Sequence, residues 1–348
     1  MSKIMTRQFK QHGLSLIEIM VAITISMILL TGVVQLFISN KKTYSAVEEL
    51  SRLQENARFA MEFISRDIRR AGFQGCRSRR EIPSHIIANP GPTGDEFDVN
   101  TAISGEDNVS SVTDVVDGTD IISLQFGGSC GGTLTGNMDA DNAQIHLTAP
   151  NTCNLDQGGL FMISDCESAD IARISNTPCN ADPDDPSYNC SSGTQNAAHA
   201  NNVNISNRLS KAYQSDAEIF ALISRNYSIR VNPTGNRALY RENIAGIAEE
   251  LVEGIENMQA LYGEDTTGDR VPNRYVPAHQ ISDMQDVVSV RISLLAYTIE
   301  DRVAQDNQTY AYEINDYNSF PTGTSFTAAD KRIRRAFTST ISLRNRLK

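Results

Sequence analysis

Residues 14–39 read LSLIEIMVAITISMILLTGVVQLFIS, apolar on every side, with a single charge at Glu18 and no proline. As a helix this run spans roughly 39 Å, enough to cross a hydrocarbon core of about 30 Å. The pattern then changes. Residues 40–71 contain neither proline nor glycine, and apolar side chains fall at Tyr44, Val47, Leu50, Leu53, Ala57, Ala60, Ile64, Ile68 and Ala71. Steps of three and four put these residues on one face of a helix. Gly72 follows as a C-cap, and Arg69 and Arg70 occupy the last turn, where cations complement the helix dipole. Joined, the two stretches predict one helix over 14–71, bare in its first half and amphipathic in its second. A membrane anchor followed by an unrelated helical linker is the alternative. Beyond Cys76 the period turns to two. Strands are expected at 120–126, 144–147, 160–164, 219–224, 227–231, 238–241, 255–262, 287–299 and 336–343. In 287–299 the residues Val288, Val290, Ile292, Leu294 and Ala296 alternate along one face. Stretches 77–118 and 175–215, rich in Gly, Asn, Asp, Ser and Pro, read as long loops. A helix followed by many antiparallel strands is an α+β architecture.

The segment ahead of the apolar run, MSKIMTRQFKQHG, carries three basic residues and no acid. Basic residues there hold that end in the cytoplasm and send the remainder across. Lys41 and Lys42 on the far side weaken the bias, although Glu48 and Glu49 soon follow. An ordinary secretory signal would end in small residues at a cleavage site, and Asn40-Lys41-Lys42 is no such site. A plain single-pass anchor leaves Glu18 unexplained, because a carboxylate inside a membrane segment is costly and marks function.

Composition narrows the class. The 348 residues hold 31 basic and 42 acidic side chains, for a formal net charge of −11. Direct nucleic-acid binding is therefore not expected. Six cysteines stand at Cys76, Cys130, Cys153, Cys166, Cys179 and Cys190, with no CxxC spacing and no histidine cluster beside them. A zinc site is poorly supported, and an even count behind a membrane-targeting start suits disulfides made in an oxidising compartment. Six cysteines allow 15 pairings. Cys179 and Cys190, which bracket a polar loop, form the first pair to test.

The string His12-Gly13-Leu14-Ser15-Leu16-Ile17-Glu18 resembles the class III signal of type IV prepilins. The resemblance implies that a prepilin peptidase cuts after Gly13 and methylates the new N-terminal residue, Leu14, where the family usually has Phe. It also implies that Glu18 neutralises the cationic terminus of a neighbouring subunit when helices bundle; a buried pair of that kind specifies register better than it adds stability. Further along, 54–76 (QENARFAMEFISRDIRRAGFQGC), 251–270, 273–278, 286–298 and 336–347 are similar to the PilW group of minor pilins, and more loosely to the GspJ pseudopilins of type II secretion. The implied fold is type IV pilin-like: a leader at 1–13, a membrane or filament-core helix at 14–39, an amphipathic continuation at 40–72, and a β-rich head at 73–348 with long disulfide-bearing loops. The implied role is a minor pilin that helps start pilus assembly near the tip and supports adhesion, twitching motility or DNA uptake. Its implied partners are the prepilin peptidase, the major pilin, other minor pilins and a large tip adhesin. The implied location is the inner membrane with a periplasmic head, then the pilus. A type II secretion pseudopilin is the related alternative, and a membrane-anchored periplasmic enzyme or binding protein the distant one.

Catalytic signatures are missing from the sequence: no GxSxG, HExxH or GxxxxGKS occurs. The glycine-rich 127–132 lacks the lysine of a phosphate cradle and reads as a strand connection. No cofactor is expected, with one exception to weigh. Asp265, Thr267 and Asp269 are spaced like the opening of a calcium loop, but Arg270 stands where such a loop needs glycine. An acidic hairpin turn is the plainer reading. The arginines Arg66, Arg69, Arg70, Arg77, Arg79 and Arg80 read as a solvated surface or a subunit contact.

Overall fold

A computed structural model describes residues 15–75, 84–89, 102–148, 153, 155, 157–165, 167–176, 195–244, 246–312 and 324–346. The chain divides into two units, Met1–Ser51 and Arg52–Lys348. One helix, α1 (Leu16–Arg70), runs through the boundary, as the uninterrupted helical pattern requires. Gly72, at φ +75°, ends it in the left-handed conformation that only glycine adopts freely, and its N–H is taken by the Gln125 carbonyl at 2.9 Å. A Cβ there would come within 3.0 Å of Ala102 Cβ.

Among the described residues sixteen strands follow: β1 (Ser84–Ile86), β2 (Ile103–Glu106), β3 (Ile121–Thr133), β4 (Gln144–Leu147), β5 (Leu160–Ser164), β6 (Ala169–Arg173), β7 (Gln195–Ala198) and β8 (Glu218–Val231), then β9 (Arg237–Asn243), β10 (Ala248–Glu253), β11 (Ile255–Glu264), β12 (Arg274–Val276), β13 (Val287–Tyr297), β14 (Thr309–Tyr312), β15 (Thr324–Thr327) and β16 (Arg334–Ser342). The large sheet runs β1-β6-β5-β8-β3-β2 and is antiparallel apart from the β1–β6 pair. Strand β8 is long enough to branch it: its start pairs with β5, its end pairs with β9, and β10 lies beyond β9. A second sheet runs β12-β11-β13-β16, and two hairpin-sized ladders, β4–β7 and β14–β15, complete the described strands.

Within the second unit, the apolar face of α1 packs on both large sheets. Leu53, Ala57, Ala60, Ile64, Ile68 and Ala71 are buried with Tyr227, Ile229, Ile255, Met258, Val290, Ile292, Leu294 and Ile341. Each large aliphatic in that set contributes about 1.5–3 kcal/mol by leaving water. The face is shorter than the sequence suggests, since Tyr44 and Val47 are exposed. A second cluster surrounds the Cys130–Cys153 disulfide, with Ile145, Leu147, Phe161, Ile174, Leu209 and Tyr213.

The glycine-rich stretch corrects the sequence reading. It is no connection between strands; it lies inside β3, where a Cβ on Gly132 would come within 2.8 Å of Cys153 Sγ. The glycine leaves room for the disulfide to lie against the strand.

Candidate assembly site

At the start of α1, Ser15 and Glu18 form a reciprocal capping box. The Ser15 N–H donates to Glu18 Oε2 at 2.8 Å, and the Glu18 N–H donates to Ser15 Oγ at 3.3 Å. Two N–H groups that a helix start leaves unpaired are thereby satisfied. Beyond this cap every residue from 16 to 38 is exposed, and the helix is long and apolar enough to cross a membrane. Its threonine hydroxyls turn inward: Thr24 donates to the Met20 carbonyl and Thr31 to the Met27 carbonyl, both at 2.8 Å. In an apolar surrounding that back-bonding satisfies both threonine hydroxyl protons. The surface offered to solvent is thus largely apolar, with the Glu18 carboxylate near its beginning and the Gln35 amide near its end. Gly13 and Leu14, the expected processing pair, lie outside the described residues.

The other half of the helix is anchored by a group the sequence reading passed over. Asp67 sits on the apolar face, fully buried, and accepts from Arg225 Nη1 and from the Tyr227 hydroxyl, each at 2.6 Å. Its Oδ1 lies 3.9 Å from Arg66 Nε. Burial, reinforced by the Asp67 charge, holds the Tyr227 phenol protonated far above its ordinary range, so it serves as a fixed donor. The signal was in the sequence. An acid between Ile64 and Ile68 on an apolar stripe must find a partner in the element it packs against.

Among the six cysteines the structure joins Cys130 to Cys153, and no free cysteine occurs among the described residues. Cys76, Cys166, Cys179 and Cys190, including the pair expected to be bridged, fall outside the described residues.

The acidic 264–269 segment closes the β11–β12 hairpin. Asp265 accepts from the N–H groups of Thr267 at 3.0 Å, Gly268 at 2.7 Å and Arg270 at 2.7 Å. Burial pushes its carboxyl up, but these N–H donors outweigh it and hold the group below the usual range. Glu264 pairs with Arg274 at 2.6 Å, and Asp269 accepts from the Val271 N–H at 3.0 Å. The oxygens that a cation would need are engaged in shaping the turn. Among the described residues no group of three or more His, Cys, Asp or Glu is placed to hold a metal ion.

Comparisons with known proteins agree with this geometry. Residues 226–345 match the family described as type IV pilus-assembly protein W, and residues 8–34 match the prokaryotic N-terminal methylation motif. The second match spans the capped start of α1, and the first covers the strands from the end of β8 to β16. Among solved structures, a type IV-like pilin from Thermus thermophilus is similar over 56% of this chain and 87% of its own, at 12% identity and a TM-score of 0.22, a likeness too slight to argue from. No curated protein matches the sequence. The methylation motif at its start and the pilus-assembly match over its C-terminal third together support a type IV pilus minor pilin of the PilW family.

Proposed function

We propose that the protein is made with residues 1–13 as a leader, held in the inner membrane by residues 14–39 with its head in the periplasm, and then recruited into a pilus, where it helps to start assembly at or near the tip. Prepilin peptidase removes the leader after Gly13 and methylates Leu14. The major pilin and other minor pilins receive the bare half of the helix, and a large tip adhesin is a further partner of the assembled complex. Adhesion, motility or DNA uptake is the outcome of the finished pilus rather than of any chemistry in this subunit, which acts as a structural component and not as an enzyme.

The carrying observation is the exposed, largely apolar surface of residues 16–38 with one capped carboxylate near its start. A surface of that size has to be covered by lipid or by like helices. Glu18 is satisfied by Ser15 within a single chain, so the cap keeps the acid engaged until a neighbour's cationic terminus replaces the Ser15 N–H as its partner. N-terminal mass spectrometry on sheared pili tests the proposal. The expected peptide starts at a methylated Leu14; a start at Met1, or beyond residue 39, refutes it.

A further inference from the structure

Among the described strands the two large sheets end in β1, β2, β10, β12 and β16, and four of these edges are blunted. β1 and β12 are three residues long and β2 is four, while β10 (AEELVE) carries Glu249, Glu250 and Glu253. Shortness and charge are the usual guards against pairing with another chain. β16 has neither along most of its length. It runs nine residues, and from Ala336 to Leu343 the sequence AFTSTISL holds no charge, proline or glycine. Phe337, Thr338, Thr340 and Ile341 are residue types that favour extended backbone.

The hydrogen bonds at the two ends of β16 fix which of its backbone groups point outward. The Ile333 carbonyl accepts from the Thr298 N–H at 3.0 Å, and the Leu343 N–H donates to the Val288 carbonyl at 2.9 Å, so the odd-numbered residues face β13. Arg334 faces the other way. Its N–H donates to Gln308 Oε1 at 2.6 Å, and its carbonyl accepts from Gln308 Nε2 at 2.9 Å. The Gln308 amide thus stands where a neighbouring strand would begin, and it bonds as a peptide group does. Beyond it, Ala336, Thr338, Thr340 and Ser342 turn their N–H and carbonyl groups away from β13, the one strand paired with β16 among the described residues. All four are exposed, and no described residue takes up those groups. They form a row of donors and acceptors about 20 Å long at the strand rise of roughly 3.3 Å per residue.

Charge decides what kind of strand fits this edge. Arg335 at its start and Arg344 just past its end are both exposed, and neither has an acidic partner among the described residues. Two copies laid edge to edge in antiparallel fashion, with Thr338 opposite Thr340, would set Arg334 and Arg335 of each against the Arg344 end of the other. Like charges brought together across a strand pair destabilise it, so a second copy is a poor occupant. A strand with carboxylates at its ends meets both arginines with the opposite charge. We infer that the outer edge of β16 receives an extended strand from a different subunit of the pilus, a run of β-favouring residues flanked by acids, added through main-chain hydrogen bonds. The inference rests on the filament-subunit reading. Recovery of the processed chain in sheared pili without this contact would end the inference and leave that reading standing.

Photo-crosslinking in pilus-producing cells that carry the full chain tests it. Ala336 is replaced by p-benzoyl-phenylalanine, and Val271, 57% exposed beside the β11–β12 turn, serves as the control position. The expected cross-link from position 336 maps by mass spectrometry to a segment of another pilus subunit that has Asp or Glu at the ends of a β-favouring run. Thr338→Pro deletes one outward N–H and leaves the ladder to β13 intact, so it should lower the yield about tenfold. The pair Arg335→Glu and Arg344→Glu should lower it about threefold, as expected for exposed charges, and reversing the mapped acids to Arg should restore it. The charge variants leave every backbone bond in place, and an unchanged melting temperature shows that each variant is folded. A cross-link to a second copy, to another part of this chain or to a segment without acids overturns the inference. So does a yield no higher than at Val271, or one that neither Thr338→Pro nor the charge reversals change.

Discussion

The two halves of α1 share one backbone and differ in what completes them. From Leu16 to Ile38 the side chains are mostly apolar all round, and none of the described residues covers them. From Leu53 to Ala71 only one face is apolar, and the chain's own sheets cover it, with Asp67 fastening the packing to Arg225 and Tyr227. The first half is thus a statement about other molecules and the second about this one. The contrast also explains where charge is tolerated. Glu18 sits at the helix start, where free N–H groups can hold it without a cation, whereas Asp67, deep in the second half, requires a guanidinium and a phenol.

The sharpest way to break the contrast is at Glu18. Glu18→Ala should be cut normally and remain in the membrane, because losing an acid eases insertion. It should nevertheless be absent from sheared pili, as judged by immunoblot. Glu18→Gln keeps the shape and a hydrogen-bond acceptor for Ser15, so its absence too would assign the loss to charge rather than to the cap. Incorporation of both variants at wild-type levels ends the pairing idea.

Matched truncations in the two halves come next. Ile68→Ala removes a fully buried side chain and should cost about 2–5 kcal/mol of head stability. Ile28→Ala removes one that is 67% exposed and should leave the melting temperature of the head where it was. Equal effects by thermal unfolding would mean that the two halves are not separately completed.

How much of this was legible follows the same division. The helix was readable to within two residues at each end, because an all-round apolar run and a 3.6-residue stripe need no tertiary context. The strands β4 and β5 were readable too, β4 (QIHL) by its alternation and β5 (LFMIS) as a short apolar run between turns. The polar strands were not. β10, AEELVE, and β7, QNAA, have compositions that read as helix or loop, and only their partners β9 and β4 make them strands. β6, ADIAR, is buried on both faces, so the alternation that announces a half-buried strand is missing. In the stretch read as a connection, glycine meant close packing against a disulfide rather than freedom. At the assembly site the Ser15-x-x-Glu18 spacing of the capping box is a local pattern that the sequence reading did not use, while the bond from Asn345 to the end of α1 joins residues 274 positions apart and no local pattern announces it.

The disulfide offers a smaller effect that probes the second cluster. Cys130 and Cys153 are 23 positions apart, and closing a loop of that size is worth about 3 kcal/mol in the chain-entropy account. The double replacement Cys130→Ser and Cys153→Ser should lower the denaturant midpoint of the head accordingly. Because the bond lies apart from the face that packs on α1, the variant should still enter pili. A midpoint unchanged under oxidising conditions would mean that the bond adds nothing to the fold.

The smallest effect belongs to the acidic hairpin, and its sign is set by what Asp265 already holds. Its carboxylate gathers three backbone N–H groups into the turn, and those donors keep its folded pKa below the ordinary value of about 3.9. A depressed folded pKa means that the group stabilises the head above its unfolded pKa, and that this contribution fades as pH falls through the folded value. Asp265→Asn retains an acceptor oxygen, so near neutral pH its melting temperature should fall only slightly below wild type. The difference between the two should shrink on acidification below about pH 4. Calcium gives the complementary reading. An ion bound only by the folded state would raise the melting temperature as its concentration rises. With the Asp265 oxygens occupied by the turn itself, millimolar calcium and chelator should give superimposable unfolding curves. A calcium-dependent rise that disappears in Asp265→Asn would instead mean that the turn opens to take the ion and trades its N–H donors for a cation.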